Sequence, residues 1–194
     1  MKAVLESISA GYSFRVKIQP TTLGGIQVVQ MKDLDHSYQT ITANLTQING
    51  AGIKEKYRLK TGDVLFLSKG PHNYAAVFID TKMPTVATSA FFVLRPDQNK
   101  IMPEYLAWYI NQEPVQHYLA EHRSGTYTLN VNRAVVENIP MQIPHLSRQN
   151  AIVKIARLQK KEANLQNELN AKRKRLISFQ LLNYSQETWY DWRR

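Results

Sequence analysis

No glycine or proline occurs from Ser147 to Arg194, and this fact limits what the chain can fold into more than any other. Within that stretch Leu158, Glu162, Leu165, Leu169, Lys172, Leu176 and Phe179 follow one another by alternating fours and threes. That is the a/d register of a heptad repeat, narrower than the stripe of a helix that lies on its own domain. Ser147 is a suitable N-cap. A helix from about Ser147 to Phe179 would be ~50 Å long at 1.5 Å per residue. It is too long to fold back fully on a domain of this size, so its seam calls for another helix. Two seam positions are charged, Glu162 and Lys172, and they lie symmetrically about Asn167. In an antiparallel pair with its two-fold axis near Asn167, Glu162 of one chain approaches Lys172 of the other. A parallel pair would set like charges together. The expectation is a homodimer through antiparallel helices, or pairing with helices of another subunit. The plain alternative is two long side chains snorkelling at the rim of the seam.

The preceding residues have a different character. Strand-like runs at Ile26 to Met31, Asp63 to Leu67, Ala75 to Ile79 and Ala90 to Leu94 are short, β-branched or aromatic, and bounded by turn residues. A helix should begin at Pro103, with Leu106, Tyr109 and Ile110 on one face. Pro114 interrupts it, and a second short helix should turn Val115, Tyr118 and Leu119 inward. Asn132 is placed to cap a turn carrying Val135 and Val136. Ile139 to Pro144 reads as an extended edge, since two prolines exclude a central strand. The fold class is therefore α/β (α+β). One mixed α/β domain occupies residues 1–146, a long coiled-coil helix 147–183, and a C-terminal tail 184–194.

Composition narrows the function. There are no cysteines among the 194 residues, so a disulfide framework or a thiolate metal site is excluded. No apolar run reaches the ~20 residues of a membrane span, and Glu6 interrupts any signal-like start; the expected location is the cytoplasm. The net charge of +10 points to a polyanionic partner, nucleic acid first. That charge is uneven. Residues 1–146 carry 14 basic and 11 acidic side chains, whereas residues 147–194 carry 11 and 4, with Lys172-Arg173-Lys174-Arg175 as the densest cluster. No catalytic residue is expected. The five histidines lack the spacing of a helical metal site, and no metal site is expected. Phosphate-loop, dinucleotide-binding and nucleophile-elbow motifs are absent. Pro96-Asp97 resembles the opening of a nuclease motif, but no later glutamate has lysine two places on.

Three segments carry a family resemblance. The first is Ile8-Ser9-Ala10-Gly11-Tyr12-Ser13-Phe14-Arg15 with Gly24-Gly25-Ile26-Gln27-Val28-Val29-Gln30-Met31-Lys32-Asp33-Leu34. The second is Leu59-Lys60-Thr61-Gly62-Asp63-Val64-Leu65-Phe66-Leu67-Ser68-Lys69-Gly70. The third runs from Pro103-Glu104-Tyr105-Leu106 to Ile139-Pro140-Met141-Gln142-Ile143-Pro144-His145-Leu146-Ser147-Arg148-Gln149-Asn150-Ala151-Ile152. In this order they resemble the specificity (S) subunit of a type I restriction-modification system. Arg148 departs from the pattern, standing where the family usually has glutamate. The chain has room for one target recognition domain and one long helix, where typical members carry two of each. The resemblance thus implies a half-length form, with residues 1–146 as the target recognition domain.

By that resemblance the chain is a non-catalytic address subunit. It would read one half of a split sequence in double-stranded DNA, and two chains would read a symmetric bipartite site. No cofactor is expected on this chain. S-adenosylmethionine would come with methyltransferase (modification) subunits, and ATP and Mg²⁺ with a motor-nuclease subunit. Base edges are read by directional donors and acceptors on loops that reach a groove. The loop from Ser68 to Tyr74 offers Ser68, Lys69, His72, Asn73 and Tyr74. The loop from Arg123 offers Arg123, Ser124, Gly125, Thr126 and Tyr127, followed by Asn130, Asn132 and Arg133. Arg15 and Lys32 lie in the family-like segments and are further candidates. Two other functions stay open: a coiled-coil scaffold whose basic helix meets an acidic partner, and a nucleic-acid enzyme with an unfamiliar site.

Overall fold

The structure is a computed structural model. It describes residues 1–21, 25–35, 39–42, 44–125 and 129–190, with side chains of the last helix to Ser185. Met1–Val153 forms one compact unit and Lys154–Arg194 a second.

Among the described residues seven strands build the first unit: β1 (Leu5–Ala10), β2 (Ile26–Val29), β3 (Thr46–Ile48), β4 (Val64–Leu67), β5 (Ala75–Val77), β6 (Thr85–Ala87) and β7 (Phe91–Pro96). A four-stranded antiparallel sheet has the order β1-β7-β4-β5, and a three-stranded mixed sheet the order β3-β2-β6. All four residues of β4 are buried, because both faces of its sheet are covered. Val64 and Phe66 enter one core with Leu94, Leu106, Ile110 and Leu119, while Leu65 and Leu67 enter another with Val29, Ala87 and Phe91. This is the period-two alternation of a strand serving two cores. Three of the expected strand runs contain a shorter strand, β2, β4 and β5, whereas β7 begins one residue later than the fourth run and extends past it to Pro96. β1, β3 and β6 were not expected. β1 buries only Ile8, and β3 and β6 have three residues each, too short to show a period.

The Thr61-Gly62-Asp63 turn sets the start of β4. Gly62 has φ +89°, a conformation that favours glycine. Asp63 is buried and accepts from Arg95 Nε at 2.8 Å, Arg95 Nη2 at 2.7 Å and the Lys60 amide at 2.8 Å. The bond to Asp63 raises the Arg95 pKa further, so the guanidinium stays charged. At Gly11 the backbone runs so close to the Thr88 and Ala87 carbonyl oxygens that a Cβ would collide with them.

The helices of this unit are α1 (Pro103–Ile110), α2 (Glu113–Glu121) and α3 (Arg133–Glu137). α1 starts at Pro103, and Pro114 occupies the first turn of α2, where its missing N–H is harmless. Asn132 caps α3, its Oδ1 accepting the Val135 amide at 2.9 Å. Asn111, at the end of α1, bonds both the amide (2.8 Å) and the carbonyl (2.9 Å) of Ala75, which closes part of the β5 edge. Among the described residues Ile139 to Pro144 pairs with no strand, which corrects the expected extended edge. Two prolines remove ladder donors, and its Pro140 and Gln142 carbonyls accept instead from Tyr109 and Tyr105 hydroxyls at 3.1 and 3.4 Å.

The last helix, α4, runs from Leu146 to Tyr190. His145 opens it rather than Ser147. The His145 carbonyl accepts from the Arg148 and Gln149 amides, and its Nδ1 from the Ser147 amide at 3.4 Å. Gln149 is fully buried. It accepts from the Met102 amide at 2.8 Å and donates to the Lys100 and Pro144 carbonyls at 2.9 and 2.8 Å. The helix continues through residues 184–190, so the tail expected from 184 does not form a separate element up to Tyr190. Asp191–Arg194 lie outside the described residues.

Candidate nucleic-acid interface

The two candidate loops, far apart in sequence, are joined by backbone. Lys69 forms an antiparallel bridge with Asn130, and Asn130 forms another with Ser124. The Gly70 amide donates to Leu129 O at 2.9 Å, the Val131 amide to Ser68 O at 2.9 Å, and Asn130 and Ser124 exchange amide bonds at 2.8 and 3.0 Å. Met31 joins the group, its Cε 3.6 Å from where a Cβ on Gly70 would stand. Exposed Lys32 follows it in a short turn that Asp33 closes by accepting the Gln30 amide at 2.8 Å. Burial pushes the Asp33 carboxyl above the usual carboxylate range, against the lowering by the Gln30 amide and Lys32. Lys32, Lys69, Ser124 and Gly125 are exposed, while Arg123 and Asn130 are half-buried.

Two candidates are corrected. Asn73 is fully buried, with Nδ2 donating to Leu67 O at 3.0 Å and Oδ1 accepting from Arg123 Nε at 2.7 Å. It has no free edge for adenine. Ser68 is also buried, and its hydroxyl donates to Ala90 O at 3.0 Å. Both shape the loop instead of facing a groove. Their polarity suggested contact with DNA; burial gave it to the backbone.

The other candidates are placed separately. His72 is exposed and stacks on Tyr74, with ring centroids 6.0 Å apart and planes at 12°. Asn132 has given its carbonyl oxygen to the cap of α3. Arg133 donates through Nε to Glu137 at 2.7 Å. That bond, with Lys2 at 3.9 Å, holds the Glu137 carboxyl below its usual range. Arg15 lies in a groove of about 600 Å³, beside Tyr12, Phe14, Lys17, Ile18 and Ile53. Thr126 and Tyr127 lie outside the described residues.

On α4 every residue from Arg157 to Ser185 is exposed. Leu158, Leu165, Leu176 and Phe179 each keep more than half of their surface, and Leu169 keeps 43%. Lys172 reaches Glu168 on its own helix at 2.9 Å. Ile177, Leu181 and Leu182 add apolar surface that the heptad reading had left out. Among the described residues no acidic or histidine cluster is arranged to hold a metal, and no helix is long and apolar enough to cross a membrane.

The type I restriction modification DNA specificity domain matches residues 4–177. The chain belongs to this family. Over 104 residues it is 30% identical to the type I restriction enzyme HindI specificity subunit of Haemophilus influenzae, a match covering 52% of this chain and 22% of that protein. The crystal structure of the HsdS subunit from Thermoanaerobacter tengcongensis is similar with a TM-score of 0.66 at 18% identity, over 88% of this chain and 43% of the other. The S subunit from M. genitalium is similar with a TM-score of 0.51 at 13% identity, over 89% and 41%. The chain thus spans less than half the length of these specificity subunits. The mixed α/β unit followed by a long helix is the fold that the resemblance implied.

Proposed function

We propose that this chain reads one half of a split duplex sequence through the surface where the Lys69 and Arg123–Asn130 loops meet. The supporting observation is the Lys69–Asn130–Ser124 pair of bridges, which turns two separate polar loops into one surface bearing Lys69 and Arg123. Directional donors on a fixed backbone are what base-edge recognition needs. The chain serves as address and leaves chemistry to others. Methyltransferase subunits bring S-adenosylmethionine and extrude the target base, and a motor-nuclease subunit brings ATP and Mg²⁺.

In the same reading two copies pair antiparallel through α4 and place two half-site readers in inverted orientation. Support comes from the exposed seam and from symmetry. Glu162 and Lys172 are symmetric about Asn167, and the midpoint of α4, Glu168, is one residue from that axis. Each Lys172 would then sit between its own Glu168 and the Glu162 of the other copy.

The test is selection of bound sequences from a random duplex pool with a methyltransferase subunit present. An inverted, spaced motif is expected. Failure to enrich any motif refutes the reading. The exposed basic run Lys172–Arg175 favours a second reading, a scaffold that holds an acidic partner. Such a chain would enrich no sequence.

A further inference from the structure

We infer that Arg123 reads a guanine and that Asn73, itself out of reach of DNA, is the residue that positions it. The inference rests on the half-site reading and names one of its contacts. The Asn73 amide is fixed in orientation because Nδ2 donates to Leu67 O at 3.0 Å; its Oδ1 therefore faces Arg123 Nε, 2.7 Å away. The backbone of Asn73 is held in turn, its carbonyl accepting Gln116 Nε2 at 3.1 Å from α2. The bond from Arg123 uses only Nε–H. Its two terminal amino groups make no bond among the described residues, and neither is a buried orphan. A guanidinium held by Nε keeps its Nη edge in one plane, and the rotamer freedom it would lose on binding is already spent.

That edge matches guanine. Two parallel N–H groups meet O6 and N7 in the major groove, whereas adenine offers a donor at the O6 position. A phosphate also accepts two such bonds, but it does not require a fixed plane, since its oxygens can be approached from many directions. The buried Asn73 clamp is therefore an investment in direction, which base reading rewards. A second polar atom of the same cluster, Asn130 Oδ1, is buried with no partner among the described residues, on the bridge that joins both loops.

The experiment repeats the random-duplex selection with Arg123→Lys, Asn73→Leu and the double variant. Arg123→Lys keeps the charge and loses the fork. At one position of each half-site the guanine preference should fall by roughly 5- to 150-fold, with the other positions unchanged. Asn73→Leu should weaken the same position and no other, and should add nothing in the Arg123→Lys background. Thermal unfolding checks that Asn73→Leu folds; if it does not, Arg123→Lys decides alone. A motif whose every position survives Arg123→Lys overturns the inference and leaves half-site reading intact. So does uniform weakening on all sequences with a salt slope lower by about one, the mark of a phosphate contact. A wild-type chain that enriches no motif defeats both.

Discussion

Replacing Asp63 by alanine should destabilise the first unit by about 3 kcal/mol, near the lower end of the ~3–5 kcal/mol for breaking a buried ion pair. The carboxylate accepts three bonds of 2.7–2.8 Å, two from Arg95 and one from the Lys60 amide. Its side chain is 1% exposed, whereas that of Arg95 is 26% exposed. After Asp63→Ala the guanidinium can therefore recover some water, which puts the cost at the low end. Arg95→Met strands the more deeply buried partner and should cost more than Asp63→Ala. In urea, ~3 kcal/mol with an m-value of ~2 kcal/mol/M moves the midpoint down by ~1.5 M. The assay is urea unfolding at one fixed protein concentration, because self-association raises apparent stability. Double substitution should cost less than the sum of the two singles. If Asp63→Ala costs under ~1 kcal/mol, or the singles add, the pair does not hold β4 to β7.

Other outcomes follow from the same structure. Gln149→Leu leaves the Met102 amide and two carbonyls without their partner, and should lower stability by ~3 kcal/mol at ~1–3 kcal/mol per stranded group. Cysteines at 162 and 172 on separate copies should cross-link efficiently with each other. Efficient 162–162 bridging would refute the antiparallel seam. Glu137→Gln should destabilise at neutral pH, because the folded-state pKa of Glu137 is lowered, chiefly by its hydrogen bond from Arg133. That contribution is present above the ordinary carboxylate pKa and is lost as pH falls through the lowered value. The stability difference between wild type and variant should shrink in acid; a constant difference from pH 7 to pH 3 would contradict it.

How much of this was legible in the sequence depended on what each residue does locally. The starts of α1 and α3 were readable because Pro103 and Asn132 act within one turn, whereas Pro114, expected to break the first helix, lies in the first turn of the second. The end of α4 was set too early, since the heptad step stops at Phe179 while helical residues continue. Ser147 offers the commoner capping side chain, but the imidazole of His145 does the capping. In the candidate interface the loops were found from composition, but their joining was not, because a Lys69–Asn130 bridge leaves no periodic trace. Asn73 and Ser68 looked like groove readers for the same reason that they are buried: both are small, polar and able to satisfy backbone groups. Gln149 stands in the third family-like segment, and the structure gives its physical meaning as three bonds that tie the first turn of α4 to the start of α1.

The central claim is that sequence is read by the joined loops of the first unit and not by the basic helix. Photo-crosslinking a duplex with the selected motif to the chain, followed by mapping of the attached peptides, tests it most directly. The account predicts attachment at Lys69 and between Arg123 and Asn130. Attachment confined to Lys172–Arg175 would contradict it.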